Sequence, residues 1–159
     1  MVIEVAAEQF AWSIRYPGRD GKFGPTKIEL VDGTNPVGLD REAQEGKDDI
    51  LSPNILNVPV NKPIIVNLKA KDVIHNFFLP VMRVKQDAIP GMTIPVWFQA
   101  TETGKFEIAC AQLCGVGHTQ MRGFFNVMTQ EDFDKWYDEE EKSLLGDTAM
   151  AEQPSEESN

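Results

Sequence analysis

Apolar and polar residues alternate in short runs along most of this chain, the pattern of half-buried strands whose side chains point to two faces in turn. In PIIVNLKAKD, Ile64, Val66, Leu68 and Ala70 share one face, and Asn67, Lys69 and Lys71 share the other. PVWFQATETGKFEIAC reads as two strands around a turn at Glu102 to Lys105. The second carries Phe106, Ile108 and Cys110 on one face, which delivers Cys110 inward at its end. VIEVA is strand-like, and FFNVM reads as a closing strand with Phe125 and Val127 on one face. Residues 18–62 are rich in Gly, Pro, Asp and Asn and read as a long irregular excursion, with strand candidates only at 27–31 and 55–58.

The period changes after residue 128. Thr129 followed by Asp132 resembles a capping box, and Phe133, Trp136 and Tyr137 then recur at helical spacing. One short C-terminal helix is expected. From Gly146 the sequence GDTAMAEQPSEESN has few large apolar groups and reads as a disordered tail or linker. The expected organisation is one all-β domain over residues 1–137, followed by an acidic helix end and tail over 138–159.

With 159 residues and 42% hydrophobic content, the chain is long enough for one domain with a real core. It contains no apolar run of about 18 residues, the length a membrane-spanning helix needs. MVIEVAAEQF also lacks the regions of a signal peptide. Met1 lies directly before a strand, so any native membrane anchor is expected upstream of residue 1.

The net charge of −10 is unevenly placed. Residues 131–159 hold eleven acidic and two basic side chains, whereas residues 1–130 hold fourteen and thirteen. The body is therefore almost neutral. Neither part suits nucleic acid, which demands a concentrated basic face.

Chemistry concentrates in CAQLCGVGHTQM, residues 110 to 121, which holds both cysteines of the chain, one of its two histidines and a methionine. The other histidine, His75, lies in DVIHNFFLP, read as a strand followed by a proline turn. Thiolate, imidazole and thioether form a soft set that suits copper in an electron-transfer site. A single-copper site with one Cys and two His would leave a cysteine over. Two copper ions use the full set: Cys110 and Cys114 as bridging thiolates, and His75 and His118 as one terminal ligand each. Met121 is then a weak thioether ligand on one ion and the backbone carbonyl of Gln112 a weak ligand on the other. A charge change of one electron spread over two ions needs little rearrangement, which suits a relay. A Cys110–Cys114 disulfide, a zinc site of two Cys and two His, and a copper-delivery protein binding one ion are the competing readings. Trp12, Trp97, Phe98 and Trp136 read as packing residues, and Asp87 in KQDAIPGM reads as a turn residue.

Three segments, QFAWSIRYPG, DVIHNFFLPVMRVKQDAIPGM and CAQLCGVGHTQMRG, resemble the CuA domain of cytochrome c oxidase subunit II. The resemblance covers roughly residues 3 to 137, and the last segment matches the family spacing at both cysteines, the histidine and the methionine. It implies a cupredoxin-like Greek-key β-sandwich or barrel, hung by transmembrane helices on the outer, periplasmic side of a bacterial or mitochondrial inner membrane. It also implies a dinuclear, mixed-valence copper centre held by His75, Cys110, Gln112, Cys114, His118 and Met121. Such a domain takes electrons from cytochrome c and passes them to a haem in subunit I, where oxygen is reduced. A related domain occurs in nitrous oxide reductase, a second expectation.

Two positions depart from the usual pattern. The family usually has Glu between the cysteines, reaching a magnesium or manganese ion; Gln112 is neutral and a poorer ligand for a hard cation. Many members carry Trp directly after the glutamine as the first acceptor of electrons from cytochrome c, and here that position is Phe10. Together with the neutral body, Phe10 argues against strongly electrostatic docking of a separate cytochrome. Both fit the branch whose subunit II carries a fused cytochrome c domain, with the acidic tail as the start of a linker. No CxxCH motif occurs, so this chain itself is expected to carry no haem c.

Overall fold

The computed structural model describes residues 1–151, with side chains for 1–144. Ten strands form two sheets: β1 (Val2–Glu8), β2 (Ala11–Tyr16), β3 (Ile50–Pro53), β4 (Ile55–Pro59), β5 (Ile64–Ala70), β6 (His75–Leu79), β7 (Val84–Ala88), β8 (Ile94–Phe98), β9 (Gly104–Cys110) and β10 (Arg122–Met128). The first sheet has the order β3-β2-β1-β5-β8 and the second β4-β10-β9-β6-β7. The pairs β1/β5 and β4/β10 are parallel, and the other pairings are antiparallel. Side chains from the two facing sheets fill one core, which is the physical meaning of the alternation in the sequence. Ile64, Val66 and Leu68 of β5 are fully buried, as are Phe77, Ile108 and Phe125 from the opposite sheet. Each such side chain removed from water contributes about 1.5–3 kcal/mol.

Three local expectations need correction. Residues 28–30 form a 3-10 turn rather than a strand, because no neighbouring strand accepts this segment, and Ile28 is left 84% exposed. The strands on either side of the Glu102 turn do not pair with each other: β8 edges the first sheet and β9 is interior to the second, so the turn is a crossover between layers. Asp87 lies within β7 rather than in a turn, and its carboxylate accepts a hydrogen bond from Asn76 Nδ2 at 2.7 Å.

The capping expectation holds: the Asp132 N–H donates to Thr129 Oγ1 at 3.1 Å. Helix α1 (Gln130–Ala151) follows, and at 22 residues it is not short. It continues past Gly146, where the tail was expected to begin; residues 152–159 lie outside the described residues. Phe133 and Trp136 dock α1 on Tyr16, with the Trp136 and Tyr16 ring centroids 5.0 Å apart. The buried Tyr16 hydroxyl donates to the carbonyl of Asn57 at 3.0 Å and accepts from its N–H at 2.7 Å, which satisfies a polar group the core would otherwise penalise. No described helix is long and apolar enough to cross a membrane.

Candidate metal centre

The site is assembled by strand ends. β9 delivers Cys110 at its last residue, and β6 begins at His75, two positions before Phe77, which pairs with Cys110 across the sheet. The intervening loop returns through a 3-10 turn at His118–Gln120 to Met121, immediately before β10. Backbone bonds close this loop on itself: Cys110 N–H donates to Met121 O at 3.3 Å, and Ala111 N–H donates to Asn76 O at 3.1 Å.

Three of the other expected ligands converge on the Cys114 sulfur. Its Sγ lies 3.8 Å from Cys110 Sγ, 3.6 Å from His118 Nδ1 and 3.7 Å from Met121 Sδ. The Cys110 thiol in turn points at the Gln112 carbonyl, 3.2 Å away. Both cysteines are free, and a separation of 3.8 Å is far beyond the ~2.05 Å of a disulfide bond, so the disulfide reading is not what the structure shows. A ring nitrogen of His75 and the two sulfurs lie within 4.8 Å of one another. His118 stands outside that closest group and reaches it through Cys114. Gln112 is exposed, and its contact with the sulfurs is made by its backbone carbonyl.

The His75 ring tests whether these residues fit a metal. It is fully buried; Nε2 lies 2.8 Å from Asp72 Oδ1, while Nδ1 has no hydrogen-bond partner among the described residues. A buried, unpaired nitrogen on a ring that lies close to two thiols costs free energy unless something binds it. A soft metal ion on Nδ1 removes that cost, and a carboxylate on the other nitrogen fixes the ring in the orientation a ligand needs. Burial, followed by the hydrogen bond and charge of Cys110, pushes the Cys114 thiol up to about 11, so metal uptake near neutral pH must displace its proton.

Sequence reasoning did not single out Asp72 or Gln9. Burial acts to raise the Asp72 pKa, but hydrogen bonds from His75 and from the Gln9 and Val73 N–H groups outweigh it and hold the carboxyl below its usual range. The one available signal was an aspartate three positions before a histidine. Phe10 packs over the metal loop: a Cβ at Gly117 would lie 2.4 Å from the Phe10 ring, and one at Gly115 would lie 3.1 Å from it. Gly115 also has φ +141°, which L side chains rarely adopt. Trp12 is fully buried with its ring centroid 6.4 Å from that of His75, which places it in the core beside the site.

Two facing sheets with thiols, imidazoles and a thioether gathered where a strand end meets a closing loop define a cupredoxin-like domain with a soft-metal site. Residues 1–127 match a family model described as cytochrome c oxidase subunit II, periplasmic domain, and the chain belongs to that family. It is 38% identical over 145 residues to the alternative cytochrome c oxidase subunit 2 of Bradyrhizobium diazoefficiens, covering 91% of this chain and 52% of that protein. It is 30% identical to the cytochrome c oxidase subunit 2 of Cereibacter sphaeroides, covering 87% and 49%. The crystal structure of the periplasmic domain of subunit II of the cytochrome oxidase of Bradyrhizobium japonicum superposes with a TM-score of 0.66 at 33% identity, covering 91% of this chain and 95% of that one. A mixed disulfide between a thioredoxin-like protein and subunit II of cytochrome c oxidase superposes at 0.62, with 34% identity and coverage of 91% and 94%. The chain spans about half the length of these curated relatives.

Proposed function

We propose that this chain is the electron-accepting domain of a terminal cytochrome c oxidase, holding two copper ions in a mixed-valence centre. Cys110 and Cys114 bridge the ions, His75 and His118 bind one each, and Met121 and the Gln112 carbonyl complete the set. The observation that carries this reading is the convergence on one sulfur: Cys114 Sγ has Cys110, His118 and Met121 within 3.8 Å. A zinc site of two Cys and two His would not need the buried thioether. A bound copper pair supplies a one-electron couple whose charge is spread over two ions and two sulfurs.

The protein's part is to keep that couple rigid and dry. His75, Met121, Cys114 and Cys110 are 9% exposed or less, so few waters must reorient when an electron arrives. Backbone bonds from Cys110 N–H to Met121 O and from Ala111 N–H to Asn76 O tie the ligand loop to the sheet. His118 is only half-buried and gives the site its solvent-facing edge. Electrons come from cytochrome c, separate or fused to this subunit, and leave to haem in subunit I. In the native protein the domain faces the periplasm on an N-terminal membrane anchor. The β domain spans residues 1–137 in this reading, with 138–159 as an acidic helix end and a tail or linker, and α1 runs unbroken past residue 137. The neutral, exposed Gln112 disfavours a hard-cation site beside it.

Stopped-flow mixing of the copper-loaded chain with reduced cytochrome c tests the role. Oxidation of the cytochrome that matches bleaching of the copper absorption is expected. Transfer of the metal itself to an apo acceptor, with no electron transfer, would instead support the copper-delivery reading.

A further inference from the structure

The turn between β1 and β2 touches both ligand loops at once. The Gln9 backbone N–H donates to Asp72 Oδ2 at 2.7 Å, and the other oxygen of that carboxylate lies 2.8 Å from His75 Nε2. The Gln9 side-chain Nε2 donates to the carbonyl of Cys114 at 2.6 Å. Asp72 also accepts from Val73 N–H at 2.7 Å, which anchors the carboxylate to the loop that precedes His75. One residue therefore connects, through Asp72, the histidine that opens β6 with a cysteine from the loop after β9, its two bonds spanning 63 residues to Asp72 and 105 to Cys114. Next to it, the Phe10 ring leaves no room for side chains at Gly115 or Gly117. Gln9 is itself exposed, so its reach toward Cys114 is not a by-product of core packing.

Resting on the copper reading above, we infer that Gln9 is a positioning residue for the metal centre. Its amide fixes the Cys114 peptide while its backbone, through Asp72, fixes the His75 ring, so both ligands are set before metal arrives. Backbone bonds anchor the ends of the ligand loop at Cys110, Ala111 and Met121. The stretch from Cys114 to His118 has local turns of its own, such as His118 N–H to Gly115 O at 3.1 Å, and the Gln9 amide joins it to another element. The contribution is that of a hydrogen bond which orients a ligand rather than one which binds metal.

Gln9→Glu keeps the length of the side chain and removes the donor, and Gln9→Lys restores an N–H donor of sufficient reach. In the metal-free chain, amide hydrogen exchange of residues 115–121 is expected to be about tenfold faster in Gln9→Glu than in wild type, the loss of one net hydrogen bond. Gln9→Lys should restore most of the protection. In the copper-loaded chain, Gln9→Glu is expected to bind copper about 10–100-fold more weakly, as for lost outer-shell partners. It should also change the hyperfine splitting of the electron paramagnetic resonance signal. Equal exchange rates in the metal-free Gln9→Glu and wild-type chains would overturn the inference whatever the metal does. A wild-type chain that binds no copper pair would overturn the proposed function but leave the exchange test of Gln9 standing. Copper loading that is normal in wild type and unchanged in Gln9→Glu would also overturn the inference.

Discussion

Adding a single methyl group at Gly117 tests how tightly the metal loop is packed. A Cβ there would lie 2.4 Å from Phe10 Cδ2, 2.6 Å from Cγ and 2.7 Å from Cε2, about 1 Å inside ordinary carbon–carbon contact. The Gly117 backbone, at φ −93° and ψ 9°, is open to alanine, so any cost comes from the collision with the ring and not from the backbone. Overpacking of this kind costs about 1–3 kcal/mol. Because the offending atoms all belong to one side chain, the cost should vanish when that side chain is removed. Urea unfolding of the metal-free chain, followed by circular dichroism, should show Gly117→Ala destabilised by about 1–3 kcal/mol. In a Phe10→Ala background the same substitution should cost less than about 0.5 kcal/mol, giving a coupling of at least about 1 kcal/mol in the double-mutant cycle. Additive effects would refute the claim that Phe10 is the lid of this loop, as would a Gly117→Ala chain as stable as wild type.

Three further outcomes follow from the same contacts. Replacing Asp72 by Ala removes the acceptor for Gln9 N–H, Val73 N–H and His75 Nε2, and should weaken copper binding about 10–100-fold in a competition titration; unchanged affinity would contradict the orienting role. Met121→Leu, a near-isosteric change at a buried position, should leave a dinuclear centre with a shifted reduction potential, measured by spectroelectrochemistry. Burial raises the pKa of Tyr16 above its ordinary value of 10.0 and that of Tyr137 up to about 12. Both folded values exceed the unfolded ones, so this stability is fully present below about pH 10 and lost as pH rises beyond it. For the fully buried Tyr16 the loss is about 1.4 kcal/mol per pH unit, visible as a falling urea midpoint that should flatten in Tyr16→Phe.

Features carried by local periodicity were legible in the sequence. Ile64, Val66 and Leu68 alternate inward as read, and Cys110 ends an inward-facing row that includes Ile108. The Thr129 cap and the aromatic face of α1 were also legible, because capping and helical spacing involve residues three or four apart. The misreadings arose where partners decide. Ile28 and Leu30 alternate like a strand, yet this segment meets no sheet edge, whereas Ile50–Pro53, charged before and proline-ended, pairs with β2 and becomes β3. The helix outruns its expected end at Gly146 because glycine lowers helix propensity by only about 1 kcal/mol, less than the neighbouring residues can offset.

The site shows the same division. Its ligands stood out because cysteine and histidine are rare in this chain, two of each, and both cysteines, one histidine and a methionine fall within twelve positions. The supports did not, because glutamine, aspartate and phenylalanine are ordinary residues until folding places them. Gln9 meets Cys114 across 105 residues, a contact no local pattern encodes. Asp72 is a surface-loop acid by sequence, and becomes an orienting group only because His75 Nε2 points at it.

The central claim is that Cys110 and Cys114 bridge two copper ions rather than bind one, and the most direct test is electron paramagnetic resonance of the copper-loaded, oxidised chain with metal content measured on the same sample. Two copper ions per chain and one unpaired electron shared equally between them are predicted, with the signal lost in Cys110→Ser and Cys114→Ser. One copper per chain with a single-ion hyperfine pattern would contradict the account.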